Sequence, residues 1–163
     1  MTARGIAALA ALSVLALPGC GGGSSDHSTS IAGNADADAV RVIKGWADEL
    51  RAGDVSAATD RFSIPTVVQN GTAPLTLTNR RQVEGFNQSL PCGAILTAAI
   101  SSGRYTIATF KLTERPGPGQ CDGGAGDAAK TAFVIHDDRI TEWRRVVDQG
   151  TPPAEPQSTN PVI

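Results

Sequence analysis

Few side chains in this sequence are suited to moving a proton, attacking a carbon or holding a metal. The 163 residues include two histidines and three cysteines. His27 falls in a Gly/Ser-rich stretch, and His136 stands beside Asp137-Asp138, where the chain is expected to turn. Neither supplies an HExxH spacing, and no Cys/His cluster has zinc-ligand spacing, so no metal is expected. No GxSxG elbow is present. The glycines at 123–126 follow no clear strand and lack the GK[ST] ending of a phosphate cradle, so no cofactor is expected either. Among the carboxylates, Asp60 and Glu84 fit exposed helix faces. Glu142 is open to two readings. Strict strand alternation sets it beside Phe133 and Ile140, facing inward, where burial would raise its pKa and suit it to proton transfer. A bulge, suggested by the three-residue step from Ile140 to Trp143, would turn it outward.

The other residues that point to a site are large and apolar. Trp46, Phe62, Phe86, Phe110, Phe133 and Trp143, with Gln69 as a polar contact, are the candidate lining of a ligand pocket, although core filling is the favoured reading for any one of the aromatics taken singly. Arg80-Arg81 and Arg144-Arg145 read as solvated faces rather than an anion site. The net charge of −2 implies no broad attraction to nucleic acid.

Short elements must position these residues. A helix is expected from Asp36 to Gly53, with Ala39, Val42, Ile43, Trp46, Ala47 and Leu50 on one apolar face and Gly53 as C-cap. Asp54 caps a second helix from Val55 to Phe62, and Pro65 ends helical structure. Thr66 to Gln69 reads as a short strand before an Asn70-Gly71 turn. A third helix runs from Arg80 to Ser89, with Val83 and Phe86 inward. Gly93 to Ser101 and Arg104 to Thr113 read as strands around a Ser102-Gly103 turn. After a Gly/Pro-rich loop at 115–126 comes the hairpin at 130–148, turning at Asp137-Asp138. A two-residue turn there sets Ile135 opposite Ile140, Phe133 opposite Glu142 and Ala132 opposite Trp143. This order of helices followed by an antiparallel meander predicts an α+β fold, with three N-terminal helices packed on a curved, mainly antiparallel sheet.

The ends of the chain carry a different message. Residues 1–19 combine Arg4, an apolar run from Ile6 to Leu17 and a small residue before Cys20. That run is short for a membrane span and suits an export signal. Leu17, Gly19 and Cys20 resemble the lipobox of bacterial lipoprotein precursors. The resemblance implies lipid attachment at Cys20 and a cell-membrane location on the extracytoplasmic face. A plain secretory signal is the alternative. Residues 20–34 read as a Gly/Ser-rich tether, 35–148 as one folded domain and 149–163 as a disordered Pro-rich tail. Cys92 and Cys121 remain as an even pair in an exported domain, which favours a disulfide. With the turn at Ser102-Gly103, Cys92 lies opposite about Thr113, at the sheet end where the loop holding Cys121 begins.

Residues 35–148 resemble the SnoaL-like branch of the NTF2-like superfamily. The likeness rests on Trp46, Leu50, Gly53, Asp54, Ala58 and Phe62 in the first two helices. It rests also on the ending RITEWRRVVD, similar to the G-K-I-x-x-W-x-x-x-x-D close of that family. It implies a cone, a bent sheet wrapped by helices around an apolar cavity. Steroid isomerase relatives place an acid at the end of the first strand. Here that region reads Val68-Gln69-Asn70, without an acid. The expectation is therefore an exported, lipid-anchored domain that binds a small apolar ligand or a protein partner without catalysis. The alternative is a SnoaL-like isomerase, cyclase or hydratase using Glu142 and His136. Expected partners are the membrane through Cys20, a small hydrophobic ligand, and a second copy of the chain or an envelope protein.

Overall fold

The computed structural model describes residues 31–117, 121 and 123–147. The export signal, Cys20, His27 and the tail at 149–163 lie outside the described residues. Helix α1 (Ala37–Ala52) is opened by Asp36, whose Oδ1 accepts from the amides of Asp38 and Ala39, and closed by Gly53 at φ 84°. Its buried face is Ala39, Val42, Ile43, Trp46, Ala47 and Leu50, as the three- and four-residue spacing predicts. Helix α2 (Val55–Asp60) starts at Asp54, which caps the Ala57 amide.

Strand β1 (Phe62–Gln69) takes Phe62 from the predicted second helix and begins four residues earlier than expected. Ile64, Thr66, Val67 and Val68 favour extended backbone. Pro65, after a cis Ile64–Pro65 bond, is tolerated because the β1 pairing is interrupted between Phe62 and Val67. The hydroxyls of Ser63 and Thr66 donate to the Ile140 carbonyl in that gap. Strand β2 (Leu75–Leu77), absent from the expected elements, returns along β1 after the Asn70-Gly71 turn and buries Leu77. Helix α3 (Arg80–Ser89) comes next, with Asn79 capping the Gln82 amide.

The meander is β3 (Gly93–Ser102), β4 (Tyr105–Thr113), β5 (Ala128–His136) and β6 (Arg139–Val146). The six strands lie in the order β2-β1-β6-β5-β4-β3, and only β1 and β6 run parallel. The helical layer is thinner than three N-terminal helices would make it. Among the described residues only α1 lies across the sheet, chiefly on β3, whereas α2 has six residues and α3, which comes after two strands, packs on α2.

Three registers differ from expectation. The first meander turn is Gly103-Arg104, since Ser102 pairs with Tyr105, and Gly103 supplies the positive φ of 56°. A bulge at Thr97 then leaves Gly93, not Cys92, opposite Thr113. In the last hairpin Ile135 does face Ile140, across Asp137 and Asp138 in left-handed backbone. A bulge at Thr141, whose hydroxyl donates to the Val134 carbonyl, shifts the pairing of the rest of β6 by one residue. Phe133 pairs with Trp143, Val134 with Glu142 and Ala132 with Arg144.

The tether boundary also moves. Ala32, assigned to residues 20–34, bridges Ala98 in parallel and exchanges backbone hydrogen bonds with Thr97 and Ala99. The outer edge of β3 would otherwise offer unpaired amides and carbonyls. Gly33 is required for this approach, because a Cβ there would lie 1.8 Å from the Ala99 carbonyl oxygen.

Candidate ligand cavity

Strand alternation sends Trp143 to the helix side of the sheet and Glu142 to the other. On the helix side, Trp46 of α1 sits at the centre of an aromatic cluster. Its ring makes edge-to-face contacts with Phe62, Phe110, Phe133 and Trp143 at centroid distances of 6.5, 6.1, 5.6 and 6.4 Å. Phe86 closes the group, 5.1 Å from Trp143 and 6.1 Å from Phe62. Such pairs add to the burial of apolar area. The Trp46 indole N–H donates to Asn87 Oδ1 at 2.9 Å, and the Asn87 amide in turn donates to the Val83 carbonyl and the Thr59 hydroxyl. Among the described residues the Trp143 indole N–H has no partner.

Beside this cluster is a cavity of about 450 Å³. It lies where β1, β4 and β6 end and β3 and β5 begin. Trp46, Leu50, Leu90, Ala94, Phe110, Leu112 and Trp143 form its apolar wall, and Asn70, Asp127, Lys130, Thr131 and Arg145 border it. The Cys92–Cys121 disulfide is present and belongs to the same wall. It pins Cys121 beside the start of β3, with Glu114 accepting from the Cys121 amide. Of the candidate lining residues, Trp46, Phe110 and Trp143 touch the cavity. Phe62, Phe86 and Phe133 fill the core behind it. Gln69 is a correction: it projects from the other sheet face, where its Oε1 accepts from Arg144 Nη1 at 2.8 Å.

That other face explains Glu142. The bulge turns the carboxylate away from the aromatics, yet its side chain is only 7% exposed. Glu142 Oε2 accepts from Arg104 Nη2 at 2.5 Å, and Oε1 accepts from Arg144 Nε. Arg104 also donates to the Tyr105 hydroxyl at 2.9 Å and stacks over its ring at 4.8 Å. Two guanidiniums thus engage the carboxylate on the face opposite the cavity. His136 is exposed beside Asp137 at the turn end, with Nδ1 2.9 Å from the Asp137 carboxylate, so the Glu142/His136 pair is not assembled in the cone. Asp60 is exposed and pairs with Arg80, whose guanidinium holds the carboxyl below its usual range. Glu84 takes a weak bond from Gln88 on the outside of α3.

Two features escaped the sequence reading. Asn87 is fully buried and serves Trp46, and its one signal was position, four residues after Val83 on the inward face of α3. Arg115 is 7% exposed and donates to the Asn87 and Gln88 carbonyls at the end of α3. Burial lowers its pKa, and the carbonyl end of the helix is the negative pole that holds the cation.

No protein-family profile matches the chain, and no curated protein matches it by sequence. Solved structures share the fold. A candidate ketosteroid isomerase of Kribbella flavida superposes with a TM-score of 0.50 at 14% identity, over 77% of this chain and 90% of that one. An NTF2-like protein of unknown function from Cytophaga hutchinsonii gives 0.50 at 10% identity, over 64% and 85%. A de novo designed protein with a curved β-sheet gives 0.53 at 13% identity, over 71% and 89%. The chain therefore has an NTF2-like α+β fold, with helices on a curved mixed sheet. At these identities the likeness speaks of fold alone.

Proposed function

We propose that the domain is a non-catalytic receptor for a small, mostly apolar ligand, tethered to the extracytoplasmic face of the cell membrane through lipidated Cys20. The observation that carries this reading is the cavity. Its volume of about 450 Å³ falls within the range of small-molecule sites. Its inner wall is aromatic and aliphatic, and among the described residues the one carboxylate that borders it, Asp127, is exposed. A proton-transfer enzyme needs a base within hydrogen-bond reach of its substrate. Glu142, the acid an isomerase reading would use, is engaged by Arg104 and Arg144 on the opposite face. The tether and anchor rest on the resemblance of Leu17, Gly19 and Cys20 to a lipobox.

Native mass spectrometry of the full chain purified from its own host tests the reading. A small molecule that co-purifies and is lost on unfolding is the expected result. A clean mass of the unliganded chain contradicts it. A second reading, a protein partner on the outward sheet face, draws on Ile95 and Ile100, which are 41% and 47% exposed there. Sedimentation across a concentration range in the presence of envelope extract tests that, and a strictly monomeric, unretarded species removes it.

A further inference from the structure

The cavity has a direction relative to the chain ends. The ends of β1, β4 and β6 and the starts of β3 and β5 border it, so its mouth is at that end of the sheet. The hairpin turns Gly103-Arg104 and Asp137-Asp138 are at the other end. Val146 and Val147 are part of the mouth, and Val147 is 60% exposed. The N-terminal segment runs parallel to β3, with Ala32 beside Ala98, so the chain arrives from the Gly93 end. Both described ends of the domain thus point toward the mouth. Cys20 precedes Ile31 by eleven residues, a length that spans at most about 40 Å. A bilayer that holds Cys20 is therefore within reach of the mouth.

The mouth also has a polarity. Arg145 stands two positions after Trp143 on β6, so both project to the helix side, with Arg145 roughly 7 Å nearer the opening. Arg145 is exposed, borders the cavity and has no ion pair among the described residues. An apolar wall below a guanidinium at the rim matches a molecule with an apolar tail and an anionic head. Asp127 and Lys130 border the same opening with opposite charges.

We infer that the ligand is a single-chain amphiphile with an anionic head, taken from the bilayer that anchors the protein. The tail lies against Trp46, Leu112, Phe110 and Trp143, and the head pairs with Arg145. This rests on the receptor reading above and narrows it. Trp46 and Trp143 are the two tryptophans of the chain, and both line the cavity. A brominated long-chain fatty acid that enters the cavity therefore quenches the intrinsic fluorescence.

The test titrates the full-length protein in phosphatidylcholine vesicles with the brominated acid and with its methyl ester. Saturable quenching is expected from both, with the acid binding about tenfold tighter, the scale of one charge-assisted contact. Arg145→Gln is expected to bring the acid down to the level of the ester. Equal affinity of acid and ester for the unaltered protein overturns the anionic-head inference and leaves the receptor reading standing. Absence of quenching by either compound overturns both. When the acid is supplied already dissolved in the vesicles, the anchored chain is expected to be quenched faster than Cys20→Ala. Equal rates overturn uptake from the bilayer.

Discussion

The two faces of the sheet are built from neighbouring residues and do opposite things. On β6, Glu142 and Trp143 are both 5% exposed. Trp143 joins an aromatic cluster beside a cavity, whereas Glu142 is tied into a polar network with Arg104, Arg144 and, through Arg144, Gln69. The helix face is rich in apolar surface and has room to spare. The outward face is charged, and its carboxylate is already committed. A buried acid is the usual marker of acid–base chemistry, and here it marks the face without the cavity. Burial alone therefore misleads, and the decisive question is which side of the strand the acid is on.

The largest expected effect falls on the cavity wall. Removing the Cys92–Cys121 bridge, as Cys92→Ala with Cys121→Ala, is expected to cost about 3–4 kcal/mol from loop closure in the unfolded chain. Urea unfolding of the intact and bridge-free chains measures it. Loss of ligand retention alongside the stability loss would tie the loop to the cavity. The outward face is expected to respond less. Glu142→Gln leaves Arg104 and Arg144 without their anion, and because Arg104 is 40% exposed, solvent reduces the penalty to about 1–3 kcal/mol. The same unfolding curves report it, and ligand retention is expected to persist.

Within the aromatic cluster the two tryptophans differ in their hydrogen bonds. Trp46→Phe removes a hydrogen bond and strands Asn87 Oδ1, whereas Trp143→Phe removes an indole N–H that has no partner among the described residues. Trp46→Phe is expected to be the costlier by about 1–2 kcal/mol, and equal unfolding midpoints would contradict that. The smallest effect concerns pH. The Arg80 guanidinium lowers the Asp60 pKa from 3.8. The stability it contributes is present above the unfolded value and is lost as pH falls through the lower folded value. Asp60→Asn is expected to flatten the pH dependence of the unfolding midpoint below about pH 4. An unchanged acid limb would remove that contribution.

Much of the architecture was legible because local signals agreed. Asp36, Asp54, Gly53 and the spacing from Ala39 to Leu50 specify α1 and the start of α2. Asp137-Asp138 marks its hairpin turn, and the order of elements implies the α+β fold. Strand β2 was not legible, because three residues leave little room for a periodic signal. Registers were read less well. Bulges at Thr97 and Thr141 each insert one residue, and one residue reverses every later side chain. The step from Ile140 to Trp143 hinted at the second bulge. Its consequence, that an outward Glu142 would still be buried, depends on Arg104 from a different hairpin. Gln69 was assigned to the pocket by its place at the end of β1. Its partner Arg144 is brought alongside by the parallel β1–β6 pairing, which no local pattern announces. Trp46, Phe110 and Trp143 were legible as large aromatics and Cys92–Cys121 as an even pair favouring a bridge, but that these residues meet around one cavity needed the fold.

Ligand retention is expected to belong to the helix-side cavity and not to the Glu142 network. One paired measurement tests it most directly. The full chain, Ala129→Trp at the cavity edge and Glu142→Gln on the outward face are each purified from the native host and weighed by native mass spectrometry, with cooperative unfolding verified for each. The account predicts a bound small molecule on the unaltered chain and on Glu142→Gln, and its loss from Ala129→Trp. Retention by Ala129→Trp together with loss from Glu142→Gln would contradict it and move the site to the outward face.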